Sequence, residues 1–399
     1  MIVGVPKEIY PGERRVALTP VVVPMLAKAG LEVAIEAGAG VAAGYPDAQY
    51  QEKGAKVLPD RASVFAQADI IVQVLGHGAN DKNGESDLRL MRRGQALVAF
   101  LRPLGSPSKD GKTDASRVQE IAQTGVTSFA VELMPRTTRA QSMDALSSMA
   151  SIAGYKAVLE VANALPRIFP MMTTAAGTIT PSRVLIIGVG VAGLQAIATA
   201  RRLGAVVSAY DVRPAAKEQV QSLGARFVEL PLETQDSQDA RGYAKAQDEA
   251  FYAKQRELLG KVIAENDAVI TTAVVPGKKA PVLVTAEMVK GMAPGSVILD
   301  LAAERGGNCE LTRAGETIVE HGVTLMGPIN LASGVPHHAS QMYARNLTSF
   351  LTNLVKDGKM RPAESDDIIR DTLLTQGGEV VNARVRELLG LPGLVTQSG

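Results

Sequence analysis

Three glycines and one acid carry the clearest chemistry in this 399-residue chain. Gly188, Gly190 and Gly193 stand as G-x-G-x-x-G after the apolar, largely β-branched run 184–187, and good helix formers continue to Leu203, with Gly204 placed to stop them. Asp211 closes the next strand-like run, 205–210, inside the window where an acid reaches the hydroxyls of a ribose. Each glycine has its own task. Gly188 permits the tight turn, Gly190 lets a pyrophosphate approach the N–H groups at the positive end of the helix, and Gly193 lets helix and strand pack closely. Together they read as a dinucleotide site; a glycine turn used for packing alone, with Asp211 as a solvated strand end, is the plain alternative and shares the fold. Val191 at the helix start, Val212 and Arg213 beside the acid, and Ala273 at the end of the apolar run 267–273 complete the candidate cofactor-binding set. An arginine in the position of Arg213 can accept a 2′-phosphate, whereas Asp211 repels one. The acid is expected to prevail, which selects NAD(H) over NADP(H).

Such a turn works only between parallel strands, and the rest of the chain supplies them. At this length two domains are expected, and 46% hydrophobic with 21% charged residues describes a globular chain with apolar surface to bury. Strand-like runs at 2–5 and 31–36, helix-to-strand steps at 66–75 and 95–101, and apolar strands at 267–273, 296–302 and 323–326 alternate with helical patterns. Residues 6–18 are a polar excursion, and Thr19-Pro20 is an N-cap and N1 pair for a helix running to about Gly30. A long helix over 142–165 bridges two α/β units, followed by a small-residue connection at 170–181. The fold class predicted is α/β, with two Rossmann-like, doubly wound parallel-sheet domains linked by long helices. Residues 1–146 form the first and 147–330 the dinucleotide domain, while 331–399 return to pack on the first, through an amphipathic helix at 339–355 and strands around Gln376–Glu379. A polar insertion at 233–250, with Gly242 before Tyr243, reads either as a mobile lid with an aromatic tip or as a solvated helix flank.

Composition excludes several classes. A formal charge of +1 and 4% aromatic residues offer no footprint for nucleic acid. The single Cys309, in a Gly-Gly-Asn-Cys turn, rules out an intrachain disulfide and a cysteine-rich metal site and suits a reducing compartment; it is a reactive thiol or, more simply, a small turn residue. His77, His321, His337 and His338 lack ligand spacing, so no metal is assigned. The amino-terminal residues do not resemble a signal peptide, and the one hydropathic window, 184–200, is already strand and helix. A soluble chain is expected.

Several stretches together are similar to the soluble NAD(H)-binding first domain of proton-translocating NAD(P) transhydrogenases, in the superfamily that includes alanine dehydrogenase. They are Pro6–Glu8, 15–20, 134–148, 188–195, 242–245, Pro276–Pro281 and 306–309. The resemblance implies a cofactor in the cleft between the two domains and a polar loop in which Arg136, Gln141, Asp144 and Ser147 reach its diphosphate, ribose and nicotinamide. Arg136, Gln141 and Asp144 are thereby the residues closest to the reaction; on residue types alone, a surface ion pair and an N-cap would explain the same loop. Tyr243 matches the tip of a loop that closes over NAD(H), and Asp211 the acid on the adenosine ribose. The implied partners are the NADP(H)-binding domain of a transhydrogenase beta subunit and membrane-spanning subunits that translocate protons. A homodimer is expected, cytoplasmic and peripheral on the inner face of the cell membrane through those subunits.

Alanine dehydrogenases of the superfamily carry lysine in a K-V-K-E-P stretch and histidine in F-L-H, where this chain has Gln73-Val-Leu-Gly-His77 and Phe100-Leu-Arg102. Oxidising an amine needs a base for protons, whereas hydride transfer between two nicotinamides moves no proton to or from nitrogen or oxygen. Arg15, kept from that site, is structural or binds an anion. The rival functions are a soluble alanine dehydrogenase and a non-catalytic NAD-binding module.

Overall fold

The computed structural model describes residues 1–105, 114–231, 248–275 and 278–393. Tyr243 and Gly242, with most of the expected lid, lie outside the described residues, as do Pro276 and Gly277. The chain divides into two compact units, one of residues 1–149 and 333–399, the other of 150–332.

In the second unit seven strands form one sheet in the order Arg226–Phe227, Val206–Tyr210, Arg183–Ile187, Ala268–Thr271, Val297–Asp300, Val323–Met326 and Thr317–Glu320. All pairings are parallel except the last, where Thr317–Glu320 runs antiparallel along the edge. Strand Arg183–Ile187 shows why both faces are covered: Val184 and Ile186 join one buried cluster with Ala196, Ile197 and Ala200, while Leu185 and Ile187 join another with Leu259 and Ile263. Alternate residues point to opposite faces of a strand, so a continuous apolar run buries both. Helices Val191–Arg202 and Glu249–Ala264 provide the two covers. The chain order reverses between strands Arg183–Ile187 and Ala268–Thr271, and a crevice for ligands opens beyond the carboxyl ends of strands at such a reversal.

In the first unit eight strands take the order Glu379–Val380, Leu373–Gln376, Thr127–Ala130, Ala96–Phe100, Ile70–Leu75, Ile2–Val5, Glu32–Glu36 and Lys56–Leu58. The six from the amino-terminal segment pair in parallel, and the two from the tail extend the sheet antiparallel. Both units are therefore Rossmann-like. Helix Ala145–Ala164 carries the chain from the first unit into the second, and Pro336–Leu354, the other long helix, lies within the first.

Four local differences from the sequence expectations have physical causes. The helix after Thr19 opens as a 3-10 turn, Pro20–Val22, before α-helix Val23–Lys28, because Pro24 has no N–H to offer the preceding turn; Thr19 makes no capping bond. Residues 366–389 are not all strand. Asp366 accepts from the N–H groups of Ile368 and Ile369 and starts helix Asp367–Thr372, and Asn382 accepts from Val385 N–H and starts Ala383–Leu388, so only the hairpin between them is extended. The connection at 170–181 contains an exposed antiparallel hairpin, Met172–Thr174 with Gly177–Ile179. Thr317–Glu320 is an edge strand half exposed to solvent, without the long apolar run that marks its neighbours.

Candidate functional site

The turn after strand Arg183–Ile187 is built as its residue types require. Gly188 has φ of +95°, and its N–H donates to the Tyr210 carbonyl at 2.8 Å, tying the turn to the neighbouring strand. A Cβ at Gly188 would lie 2.7 Å from Thr272 Oγ1 and 2.9 Å from the Ala273 nitrogen; at Gly193 it would overlap the Gly188 carbonyl oxygen. Those two glycines are needed for packing. Gly190 is different: it is exposed, and a Cβ there would meet nothing within 4 Å. Packing does not explain it.

Gly190 is also the N-cap of helix Val191–Arg202 and receives no side-chain capping bond. The helix's own bonding begins with Leu194 N–H donating to the Gly190 carbonyl at 2.8 Å, so the N–H groups ahead of it have no acceptor inside the helix. Open space at Gly190, free-facing donors and the positive end of a twelve-residue helix fit a diphosphate. Val191, partly buried, opens that first turn.

Asp211, at the end of strand Val206–Tyr210, is oriented by four donors. Its Oδ2 accepts from Val189 N–H at 2.7 Å and from Arg213 Nη2 at 2.9 Å; its Oδ1 accepts from Arg213 N–H at 2.8 Å and Arg213 Nε at 2.9 Å. Arg213 Nη2 also donates to the Val189 carbonyl at 2.9 Å, and the bond to Asp211 raises its pKa above the ordinary value. Val212 between them is partly buried against the apolar cluster beneath. The acid and the glycine turn are thus one bonded unit.

Ala273 sits across the strand reversal from Gly188, and its position depends on residues whose roles the sequence left unassigned. Asn308, fully buried, accepts from Ala273 N–H at 2.9 Å and donates to the carbonyls of Ala273 and Pro281, both at 2.8 Å. Asp300, also fully buried, accepts from Thr271 Oγ1 and from the N–H groups of Ala302, Asn308 and Cys309 at 2.7 to 3.0 Å. An acid ending an apolar strand, followed by Gly-Gly-Asn, is the signal that could have found them. Cys309 is buried in this turn, and burial pushes its thiol pKa up, which makes it the small turn residue and not a nucleophile.

In the first unit, Asp144 and Ser147 come together. Asp144 Oδ1 accepts from Ser147 N–H at 2.9 Å and Oδ2 from Ser147 Oγ at 2.6 Å, the bonding of an N-cap at the start of helix Ala145–Ala164. Arg136 is exposed, and Gln141 is exposed within the 3-10 segment Thr138–Met143. Neighbouring Arg139, not Arg136, makes the ion pair with Asp366, at 2.6 Å. Tyr243 lies outside the described residues.

The polar excursion after strand Ile2–Val5 folds into a buried charged cluster at the strand reversal of the first sheet. Glu8 Oε1 accepts from Val74 N–H at 2.6 Å and Oε2 from Leu75 N–H at 3.3 Å, where an irregularity in strand Ile70–Leu75 leaves these donors off the ladder. Burial pushes the Glu8 carboxyl up to about 8, and Glu13 adds to the effect. Burial likewise raises Glu132, which accepts from Leu101 N–H at 2.9 Å, to about 7. Arg15 is buried and paired with Glu13 at 2.6 Å. Gln73 donates to Asp87 at 2.7 Å, and His77, buried, shares a 2.7 Å hydrogen bond with Glu120 and is lowered in pKa chiefly by burial. Among the described residues no His, Cys, Asp and Glu group suits a metal, and no helix is long and apolar enough to cross a membrane.

Parallel doubly wound sheets, a helix start open to an anion and an acid bonded to the same turn define a nucleotide-binding α/β protein of the Rossmann type. Two family domains account for the chain, "Alanine dehydrogenase/PNT, N-terminal domain" over residues 4–153 and "Alanine dehydrogenase/PNT, C-terminal domain" over 157–383. The chain belongs to the alanine dehydrogenase/PNT family. It is 46% identical over 385 residues to the first portion of the NAD(P) transhydrogenase alpha subunit of Rhodospirillum rubrum, which is a separate chain there, covering 96% of this chain and 98% of that one. The solved structure of transhydrogenase from Sinorhizobium meliloti matches with a TM-score of 0.81 at 42% identity, covering 96% of this chain and all of that one. The alanine dehydrogenase of Bacillus subtilis is more distant, 27% identical over 400 residues, with 98% and 95% covered.

Proposed function

We propose that this chain is the NAD(H)-binding component of a proton-translocating NAD(P) transhydrogenase and presents NADH to NADP⁺ held by a separate domain. The observation that carries the proposal is the turn at Gly188–Gly193, with open space at Gly190 and Asp211 bonded to it, in a chain 46% identical to an NAD(P) transhydrogenase subunit. Bound NADH would supply the hydride. The chain's own residues bind, orient and exclude water: the N–H groups at the start of helix Val191–Arg202 take the diphosphate, Asp211 takes the adenosine ribose, and Asn308 holds Ala273 in place beside the turn. Arg136, Gln141, Asp144 and Ser147 are proposed to position the diphosphate, ribose and nicotinamide, and Tyr243 to close over them.

Acid-base chemistry on a small substrate is disfavoured by what its candidate groups are doing. Gln73 is bonded to Asp87 and His77 is buried on Glu120, so neither is poised to move a proton to or from an amine. A transfer that moves only hydride has no use for one.

The partners proposed are an NADP(H)-binding domain, membrane-spanning subunits that carry the protons, and a second copy of this chain. The exposed hairpin, with Met171, Met172 and Ile179 open to solvent, offers the apolar surface that a second copy would cover. The test is to titrate the purified chain with NADH and assay it with pyruvate and ammonia: tight NADH binding with no reductive amination supports the proposal, and brisk amination makes the chain an alanine dehydrogenase instead.

A further inference from the structure

Accepting the dinucleotide reading, the bonding of Asp211 raises a question of capacity. A carboxylate has about four lone-pair directions. All four are taken: two by backbone N–H groups, of Val189 and Arg213, and two by the Arg213 side chain through Nε and Nη2. The backbone donors belong to the turn and stay with it. A ribose diol can therefore reach Asp211 only by replacing the guanidinium, whose two bonds it reproduces with two hydroxyl donors.

We propose that Arg213 is a specificity-determining residue that occupies the place of the ribose hydroxyls on Asp211 and has to be exchanged by them. The same pairing explains how an arginine next to the ribose site is compatible with selecting the unphosphorylated cofactor. A guanidinium is an excellent partner for a 2′-phosphate, through paired N–H groups. Here its Nε and Nη2 are committed to Asp211, and Nη2 also reaches the Val189 carbonyl. A 2′-phosphate would have to draw the arginine off a carboxylate while bringing its own charge against that carboxylate. A 2′,3′-diol meets no such repulsion.

Two consequences separate this exchange from a purely structural ion pair. Removing the side chain of Arg213 removes the competitor and leaves Asp211 held by its two backbone donors, so NADH should bind more tightly, since apparent affinity rises with the fraction of molecules ready to bind. Neutralising Asp211 should release Arg213 to a 2′-phosphate. The experiment is calorimetric titration of the full chain with NADH and with NADPH for the wild type, Arg213→Ala, Asp211→Asn and the double variant, with thermal unfolding of each to confirm folding. Arg213→Gln, which keeps a donor for the Val189 carbonyl, repeats the first arm should the alanine variant be unstable. Expected are roughly three- to tenfold tighter NADH binding by the Arg213 variant, a gain of about tenfold or more in NADPH affinity for Asp211→Asn, and loss of that gain in the double variant. NADH binding by Arg213→Ala no tighter than wild type, or NADPH binding by the double variant equal to that of Asp211→Asn, overturns the proposal. A wild-type chain that binds neither nucleotide would instead overturn the dinucleotide reading beneath it.

Discussion

Substituting alanine for Gly190 and, separately, for Gly193 distinguishes a glycine kept for a ligand from one kept for packing. At Gly190 the backbone has φ of −78° and ψ of −168°, which alanine adopts without strain, and its methyl group would meet nothing within 4 Å. Alanine is a poorer N-cap than glycine by up to about 1 kcal/mol, and the lower entropy of the unfolded alanine chain returns roughly 0.4–1 kcal/mol. The two nearly cancel, so Gly190→Ala should shift the melting temperature by no more than about 2 °C. At the site the methyl group stands where a diphosphate approaches the helix start. Loss of one charge-assisted hydrogen bond is worth about 1.5–3 kcal/mol, so NADH affinity should fall at least about tenfold. Gly193→Ala places its Cβ against the Gly188 carbonyl, which is backbone and cannot swing aside, and should cost about 1–3 kcal/mol or more in stability besides affinity. Fluorescence titration with NADH, alongside thermal unfolding, reads both quantities. Wild-type affinity in Gly190→Ala would show that the turn does not bind phosphate, and a large loss of its stability would show that the open space is misjudged.

The first unit should lose stability as pH rises. Glu8, raised from 4.5 to about 8, is protonated in the folded state and ionised in the unfolded state between those values, so its penalty is absent below about pH 4.5 and complete above pH 8, up to roughly 5 kcal/mol. Glu132 acts in the same direction up to about pH 7. Urea unfolding from pH 5 to 8 should show a flatter pH dependence for Glu8→Gln, and an unchanged slope would refute the assignment. Asp144→Ala should lose about 1 kcal/mol of stability with the helix cap, whereas Asp144→Asn keeps a good cap and should lower the hydride-transfer rate without lowering the melting temperature; if the two behave alike, the role of Asp144 is structural. Asn308→Ala strips partners from Ala273 and Pro281 and should cost roughly 2–4 kcal/mol together with weaker NADH binding, while unaltered NADH binding would remove Asn308 from the site.

The order of strands was readable because a buried parallel strand must be apolar on both faces, and runs such as 184–187 and 297–299 announce themselves. Thr317–Glu320 was not, because an edge strand half exposed to water has no such run. The glycine turn was legible in full, since three glycines at fixed spacing answer three separate steric demands. What supports the turn was hidden. Asp300 and Asn308 come from a strand and a turn far along the chain from the glycines, and only the parallel pairing of their strand brings them beside Ala273. The lone pairs of Asp211 were equally invisible: the sequence placed Arg213 near the acid, but its bidentate pairing is a matter of side-chain geometry. Residues 6–18 read as a polar loop, yet Glu8 and Arg15 are buried, because charges that find backbone donors or a partner can be enclosed.

The central claim is that this chain supplies one half of a hydride transfer. Its most direct test is a single-turnover mixing experiment, in which the chain loaded with NADH meets an NADP⁺-loaded transhydrogenase NADP(H)-binding domain and nucleotide oxidation and reduction are followed together. Rapid, stoichiometric formation of NADPH, dependent on both proteins, is the predicted result; no transfer under conditions where NADH is demonstrably bound would contradict it.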